Sequence, residues 1–104
     1  YLVDGFPRSL DNLAAWNAAV EKRVVVRFCL FLSCSEGVME ARLLDRGKTS
    51  GRSDDNIESI RKRFMLFHSD SLPVVKSFAS EGKLRRVDAE QSVEAVWRDV
   101  QALF

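Results

Sequence analysis

The amino-acid sequence predicts an α/β fold with a parallel sheet. One observation is the alternation of segments, which run strand, helix, strand, helix, loop, helix, strand, helix. A second is the run from Val24 to Leu32, nearly unbroken in apolar residues and rich in β-branched and aromatic ones. Such a run suits a strand covered on both faces. A third is that the joints between segments fall at Gly, Pro and capping residues. Three strands can be placed, whereas doubly wound sheets usually carry about five or more. The chain opens at Tyr1, without Met and inside an apolar segment, so further strands are expected upstream.

Each element has its own signal. Tyr1-Leu2-Val3 is the end of a buried strand, and Asp4-Gly5-Phe6-Pro7-Arg8 is the turn after it. Leu10 to Lys22 is a helix capped by Ser9, with Leu13, Trp16 and Val20 on one face. After the Val24–Leu32 strand, Ser33 and Glu36 stand at capping-box spacing. The helix they open carries Val38, Met39, Ala41, Leu43 and Leu44 and ends at Gly47. Lys48 to Ser53 is a loop, and Asp54 or Asp55 caps the next helix, whose apolar face is Ile57, Ile60, Phe64 and Phe67. Pro73 breaks or restarts that helix, which runs on to Gly82. Leu84 to Val87 is a short strand. A final helix carries Val93, Val96, Trp97, Val100 and Leu103 on one face. Trp16 and Trp97 are expected to be core anchors.

Composition narrows the function classes. The chain has 104 residues, 46% hydrophobic and 30% charged, which suits one soluble domain. No stretch approaches the ~20 apolar residues of a membrane span, and no signal peptide is visible. Cys29 and Cys34 suit reduced, buried thiols of a cytoplasmic protein, since no second Cys pair or His partner stands near to complete a metal site. A net charge of +1 gives little general attraction to nucleic acid or membrane. The stretch from Arg42 to Arg63 nevertheless holds seven basic residues against four acidic ones. Those acids, and the lack of stacking aromatics near the loop, argue against a nucleic-acid binder. Arg outnumbers Lys by eleven to five, and Arg is the better fork for a phosphate.

Three features carry chemistry. Asp4 to Arg8 lies at the carboxyl end of a predicted strand, the edge where ligands bind in open α/β sheets. Asp4 can hold Mg²⁺ or its water there, and Arg8 can reach a phosphate; the plain alternative is a solvated turn. The second feature is Arg46-Gly47-Lys48-Thr49-Ser50-Gly51-Arg52-Ser53-Asp54-Asp55-Asn56, two arginines flanking a loop that can close over a polyphosphate. Arg46 and Arg52 would neutralise a transferring phosphoryl group, with Asp54 and Asp55 aiming them. The third is Arg63, with Arg42 upstream. His68, the single histidine, is given no catalytic role.

Together these motifs resemble the adenylate-kinase-like family of nucleoside-monophosphate kinases, over essentially the whole chain. The resemblance implies part of a P-loop-kinase fold, a three-layer doubly wound parallel sheet, here with its N-terminal strands and phosphate-binding loop absent. It makes residues 1–104 the C-terminal part of the kinase domain, with a lid at about 45–55. It implies that Gly5, Phe6, Pro7 and Arg8 form the acceptor pocket and that Asp4 lies near the water shell of Mg²⁺. Arg52 and Arg63 would bind the acceptor phosphate, and with Arg46 would assist transfer. Arg42, Arg46 and Gln91 would lie on the ATP side. Asn12, four positions after the motif arginine, matches the residue that marks the UMP/CMP branch, where adenylate kinases carry Gln; the short lid suits that branch too.

The reaction so implied is Mg²⁺-dependent transfer of the γ-phosphoryl group of ATP to UMP or CMP, in pyrimidine nucleotide interconversion, by a monomeric cytoplasmic enzyme. The alternatives are an adenylate kinase acting on AMP and a non-catalytic kinase-like scaffold. The segment Gly-x-x-x-x-Gly-Lys-[Ser/Thr] does not occur in the 104 residues, so the chain alone is expected to be inactive.

Overall fold

The computed structural model describes residues 1–20, 22–50 and 56–104, with the backbone alone described at Ser50. Five α-helices and two strands are laid out among them: α1 (Leu10–Val20), β1 (Cys29–Ser33), α2 (Glu36–Ser50), α3 (Ile57–Leu66), α4 (Leu72–Ser80), β2 (Leu84–Asp88) and α5 (Val93–Gln101). A π-helical turn, Phe67–Ser71, joins α3 to α4. The class is α/β, as expected.

The two strands pair in parallel. The Cys29 N–H donates to the Lys83 carbonyl at 2.7 Å at one end, and the Ala89 N–H donates to the Ser33 carbonyl at 2.8 Å at the other. Low-numbered residues therefore meet low-numbered ones, which requires the strands to run the same way. The described residues between them are mostly helical, as is usual for a parallel crossover.

Contacts divide the chain into two compact units. One comprises Tyr1–Cys29 and Leu66–Leu84, the other Leu30–Met65 and Arg85–Phe104. In the first, α1 packs on α4, whose Val74 and Phe78 are buried. Spaced by four, those two residues share one helix face. Pro73 sits in the first turn of α4, where its missing N–H costs nothing, so the helix restarts there as expected. In the second unit Ile60 of α3 is fully buried, and Val87 of β2 and Ser33 of β1 are buried too.

Several expectations are corrected. Tyr1-Leu2-Val3 forms no strand. It has no neighbouring strand to bond among the described residues, and Tyr1 and Leu2 stand exposed. Residues 24–28 also stay outside β1, which starts at Cys29, and Leu32 remains half-exposed rather than covered. The cap of α2 is Ser35, whose carbonyl takes the Met39 N–H at 3.0 Å and whose hydroxyl faces the Val38 N–H at 3.4 Å. Ser33 turns inward instead, donating to the Val87 carbonyl at 3.3 Å. Gly47 does not end α2: a glycine terminator works through a positive φ, and among described residues only Gly5 and Gly82 adopt one. The α3 cap is Asn56, whose Oδ1 accepts the Ser59 N–H at 3.0 Å; Asp54 and Asp55 lie outside the described residues. Trp97 is no core anchor, being 59% exposed on α5, and Leu103 lies beyond the end of that helix. Cys29 and Cys34 are free and half-buried rather than buried, and burial pushes the Cys29 thiol up. Among the described residues no helix is long and apolar enough to cross a membrane.

Candidate functional site

Candidate residues lie in both units. In the first unit they are built on the turn before α1. Gly5 has φ of 68°, a conformation that side chains resist, and it lets the chain reverse beneath Arg8. Arg8 folds back, its Nε donating to the Gly5 carbonyl at 2.6 Å. The approach is so close that a Cβ on Gly5 would lie 2.9 Å from Arg8 Nη2. The Phe6–Pro7 peptide is cis, and the Phe6 ring meets Trp16 of α1 edge-on at 5.9 Å.

The helix start locks this turn in place. Ser9 caps α1, its hydroxyl accepting the Asn12 N–H at 3.1 Å and its carbonyl the Leu13 N–H at 3.0 Å. Asn12 Oδ1 accepts the Arg8 N–H at 3.2 Å. A backbone N–H can only donate, so the amide oxygen faces the turn and the Nδ2 donors face away. From the far end of the unit, the Ser71 hydroxyl donates to the Arg8 carbonyl at 2.9 Å. Arg8 is thus held through its N–H, its carbonyl and its Nε, while no described residue takes its Nη atoms. This leaves an exposed guanidinium edge aimed by its own backbone, suited to a doubly bonded oxyanion. The exposed carboxylate of Asp4 precedes it.

In the second unit, Arg42 and Gln91 meet at the turn after β2. Arg42 and Arg46 lie four apart on exposed positions of α2, hence on one face. Arg42 Nη1 donates to the Ala89 carbonyl at 2.6 Å, so this guanidinium props the turn after β2. Arg63 is half-buried on α3. Gln91 lies in the turn after β2, its Nε2 bonded to Asp88 and Asp99. Arg52, Asp54 and Asp55, and the lid beyond position 50, lie outside the described residues.

Sequence reasoning missed Ser71 and Asp99. Ser71 reaches Arg8 across 63 positions, and nothing local marks it. Asp99 reads as one more polar position on α5, and only the folded turn makes it an acceptor for Gln91.

Known proteins are similar to this chain in sequence. A family model described as an AAA domain matches residues 1–61, more than half of the chain. UMP-CMP kinase of Danio rerio is 44% identical over 104 residues, covering 100% of this chain and 53% of the relative. Uridylate kinase of Saccharomyces cerevisiae is 50% identical over 101 residues, 97% of this chain and 48% of the relative. UMP-CMP kinase 3 of Arabidopsis thaliana is 46% identical over 100% of this chain and 50% of its own length. The chain spans about half the length of these curated relatives. It belongs to the AAA-domain family, and its whole length is homologous to a C-terminal portion of UMP-CMP and uridylate kinases, which are nucleoside-monophosphate kinases.

Proposed function

We propose that the chain is the C-terminal part of a kinase that transfers the γ-phosphoryl group of ATP to UMP or CMP. The observation that supports this most is the turn in which the Gly5 carbonyl aims the Arg8 guanidinium while Asn12 holds the Arg8 N–H. Arg8 binds the acceptor phosphate through its two Nη groups. Asn12, its oxygen already committed, offers Nδ2 to an acceptor atom on the base. Both pyrimidines present the 2-carbonyl oxygen, so one amide donor serves either.

Arg46, Arg52 and Arg63 stabilise charge on the transferring group, with Asp54 and Asp55 orienting the lid arginines, and Arg42 stands on the ATP side. No covalent intermediate is needed, because positioning and charge neutralisation lower the barrier. Asp4 fits a Mg²⁺ site: its carboxylate is exposed and without a partner among the described residues, and Mg²⁺ prefers one or two carboxylates with water and phosphate oxygens. The metal would supply Lewis-acid screening of the phosphates. The enzyme so described is a cytoplasmic monomer with no part for nucleic acid or membrane, and these 104 residues alone turn over nothing.

Initial rates of the full-length protein with UMP, CMP and AMP test the reading. Preference for the pyrimidines supports it. Preferential use of AMP would make the protein an adenylate kinase, and no transfer to any of the three would leave a scaffold.

A further inference from the structure

Serines in helices often turn their hydroxyls back onto groups of their own helix. Ser69, in the π-helical turn, finds its acceptors within three residues, the Leu66 carbonyl at 3.4 Å and the Asp70 carboxylate at 3.0 Å. Ser80, at the end of α4, donates to the Ser77 carbonyl at 2.7 Å. Ser71, immediately before α4, does otherwise. Its hydroxyl leaves the helix and donates to the Arg8 carbonyl, 2.9 Å away and 63 positions earlier.

What matters is where that bond lands. The Arg8 N–H lies in the peptide plane before its Cα, and the carbonyl lies in the plane after it. Peptide units are planar, so pinning both planes fixes the two torsions between them. Asn12 Oδ1 pins the first plane at 3.2 Å, and Ser71 pins the second at 2.9 Å. Those torsions set the direction in which the side chain leaves the backbone. The Nε bond to the Gly5 carbonyl, at 2.6 Å, sets its far end. Arg8 and Ser71 belong to the same compact unit, in which α4 packs on α1 and buries Val74 and Phe78. The helix that follows Ser71 is thus anchored by its own packing and gives Arg8 a fixed reference.

We propose that Ser71 is a positioning residue for the acceptor phosphate: its hydroxyl fixes the backbone that aims the Arg8 guanidinium, without touching the nucleotide. The inference rests on the kinase reading above and adds a residue to its acceptor side. Arg8 is exposed, so water can replace the hydroxyl at the carbonyl, and the fold loses little. Aim is what water does not restore, because a mobile solvent molecule holds no peptide plane in place.

Variants of the full-length kinase test it. The readings are initial rates with whichever of UMP, CMP and AMP the parent prefers, calorimetric titration of that monophosphate, and thermal melts. Ser71→Ala is expected to raise the acceptor KM about three- to tenfold, the worth of one neutral hydrogen bond, with kcat and the KM for ATP within about twofold of the parent. Ser71→Thr keeps a hydroxyl and stays within about twofold of the parent. Ser71→Val has the same shape as Ser71→Thr without the hydroxyl and falls with Ser71→Ala, so this pair decides even where alanine upsets folding. Arg8→Met removes the guanidinium and keeps the backbone. In that background Ser71→Ala changes the acceptor kcat/KM by no more than about twofold, because the hydroxyl acts only through the side chain it aims. An unchanged acceptor KM in both Ser71→Ala and Ser71→Val would overturn the proposal. So would a Ser71→Ala loss that persists in full beside Arg8→Met, or one that ATP shares equally, since either marks a merely structural part. A parent that binds a monophosphate yet transfers nothing to it defeats the kinase reading alone, and the titrations still decide Ser71. A parent that binds none of the three defeats both.

Discussion

Replacing Gly5 with alanine perturbs the turn that holds Arg8 at one defined point. The backbone there sits at φ of 68°, and an added Cβ would lie 2.9 Å from Arg8 Nη2, with Nε at 3.7 Å and Cζ at 3.8 Å. The left-handed conformation alone costs a non-glycine residue roughly 1–2 kcal/mol. The contact adds a displacement, because the atom it meets is the mobile end of Arg8 and can swing away. Swinging away pulls the guanidinium off the Gly5 carbonyl that aims it, a bond of 2.6 Å. If Arg8 grips the acceptor phosphate, the lost charge-assisted bonds are worth about 1.5–3 kcal/mol, so KM for UMP rises roughly ten- to a hundredfold. KM for ATP stays within about twofold, since nothing on the donor side has moved. Gly82→Ala is the matched control. Its φ is 70°, and a Cβ there meets nothing within 4 Å, so it bears the backbone cost without the contact. It should lower the melting temperature and leave KM for UMP unchanged. Coupled initial-rate assays on the full-length variants, with thermal melts alongside, give both readings. Equal KM values for UMP in Gly5→Ala and the parent would refute the role of the Gly5–Arg8 contact.

Further outcomes are expected elsewhere. Asn12→Asp keeps an oxygen for the Arg8 N–H but loses the Nδ2 donors, so the fold persists while the rate advantage of UMP over AMP falls about tenfold, measured as a ratio of kcat/KM. Ser92→Ala removes the hydroxyl that accepts the Ala95 N–H at 3.2 Å and should cost about 1 kcal/mol in urea denaturation. Ile60→Ala empties a fully buried site and should cost about 2–5 kcal/mol, the largest loss among these stability variants. The Cys29 thiol, raised by burial above an ordinary value of 9.0, should react with iodoacetamide more slowly than a free cysteine at pH 8 to 9. Because its folded-state pKa lies above the unfolded one, its contribution to stability is fully present below about pH 9 and is lost as pH rises further, which a series of melts in alkaline buffers would register.

What the sequence disclosed was what neighbours decide. Ser9 and Asn12 stand three and four positions from their partners, so the cap of α1 and the hold on Arg8 follow from spacing. Pro73 can only begin a helix, and α4 begins around it. What stayed hidden was decided at a distance. Ser33 looks like a cap beside Glu36, but its hydroxyl is taken by Val87, 54 positions on, and the cap passes to Ser35. Trp97 stands at helical spacing with other apolar residues, yet periodicity names a face without naming what covers it, and the indole stays exposed. In the candidate site the same division holds. Arg8, Gly5 and Asn12 are legible together, whereas Ser71 acquires its role only when α4 is brought up to the turn.

The parallel pairing of β1 with β2 also fixes an order of events during synthesis. The two strands are separated by residues 34–83, so the ribosome releases β1 long before its partner exists. Helices α2 and α3 can coil on local contacts in that interval, but the sheet cannot close. Ser33 donates to Val87 and Leu32 stays half-exposed even when paired, so the nascent strand offers both an unmet hydroxyl and an apolar edge until β2 emerges. The period of greatest vulnerability to misassociation is thus set by how far along the chain the second strand is encoded.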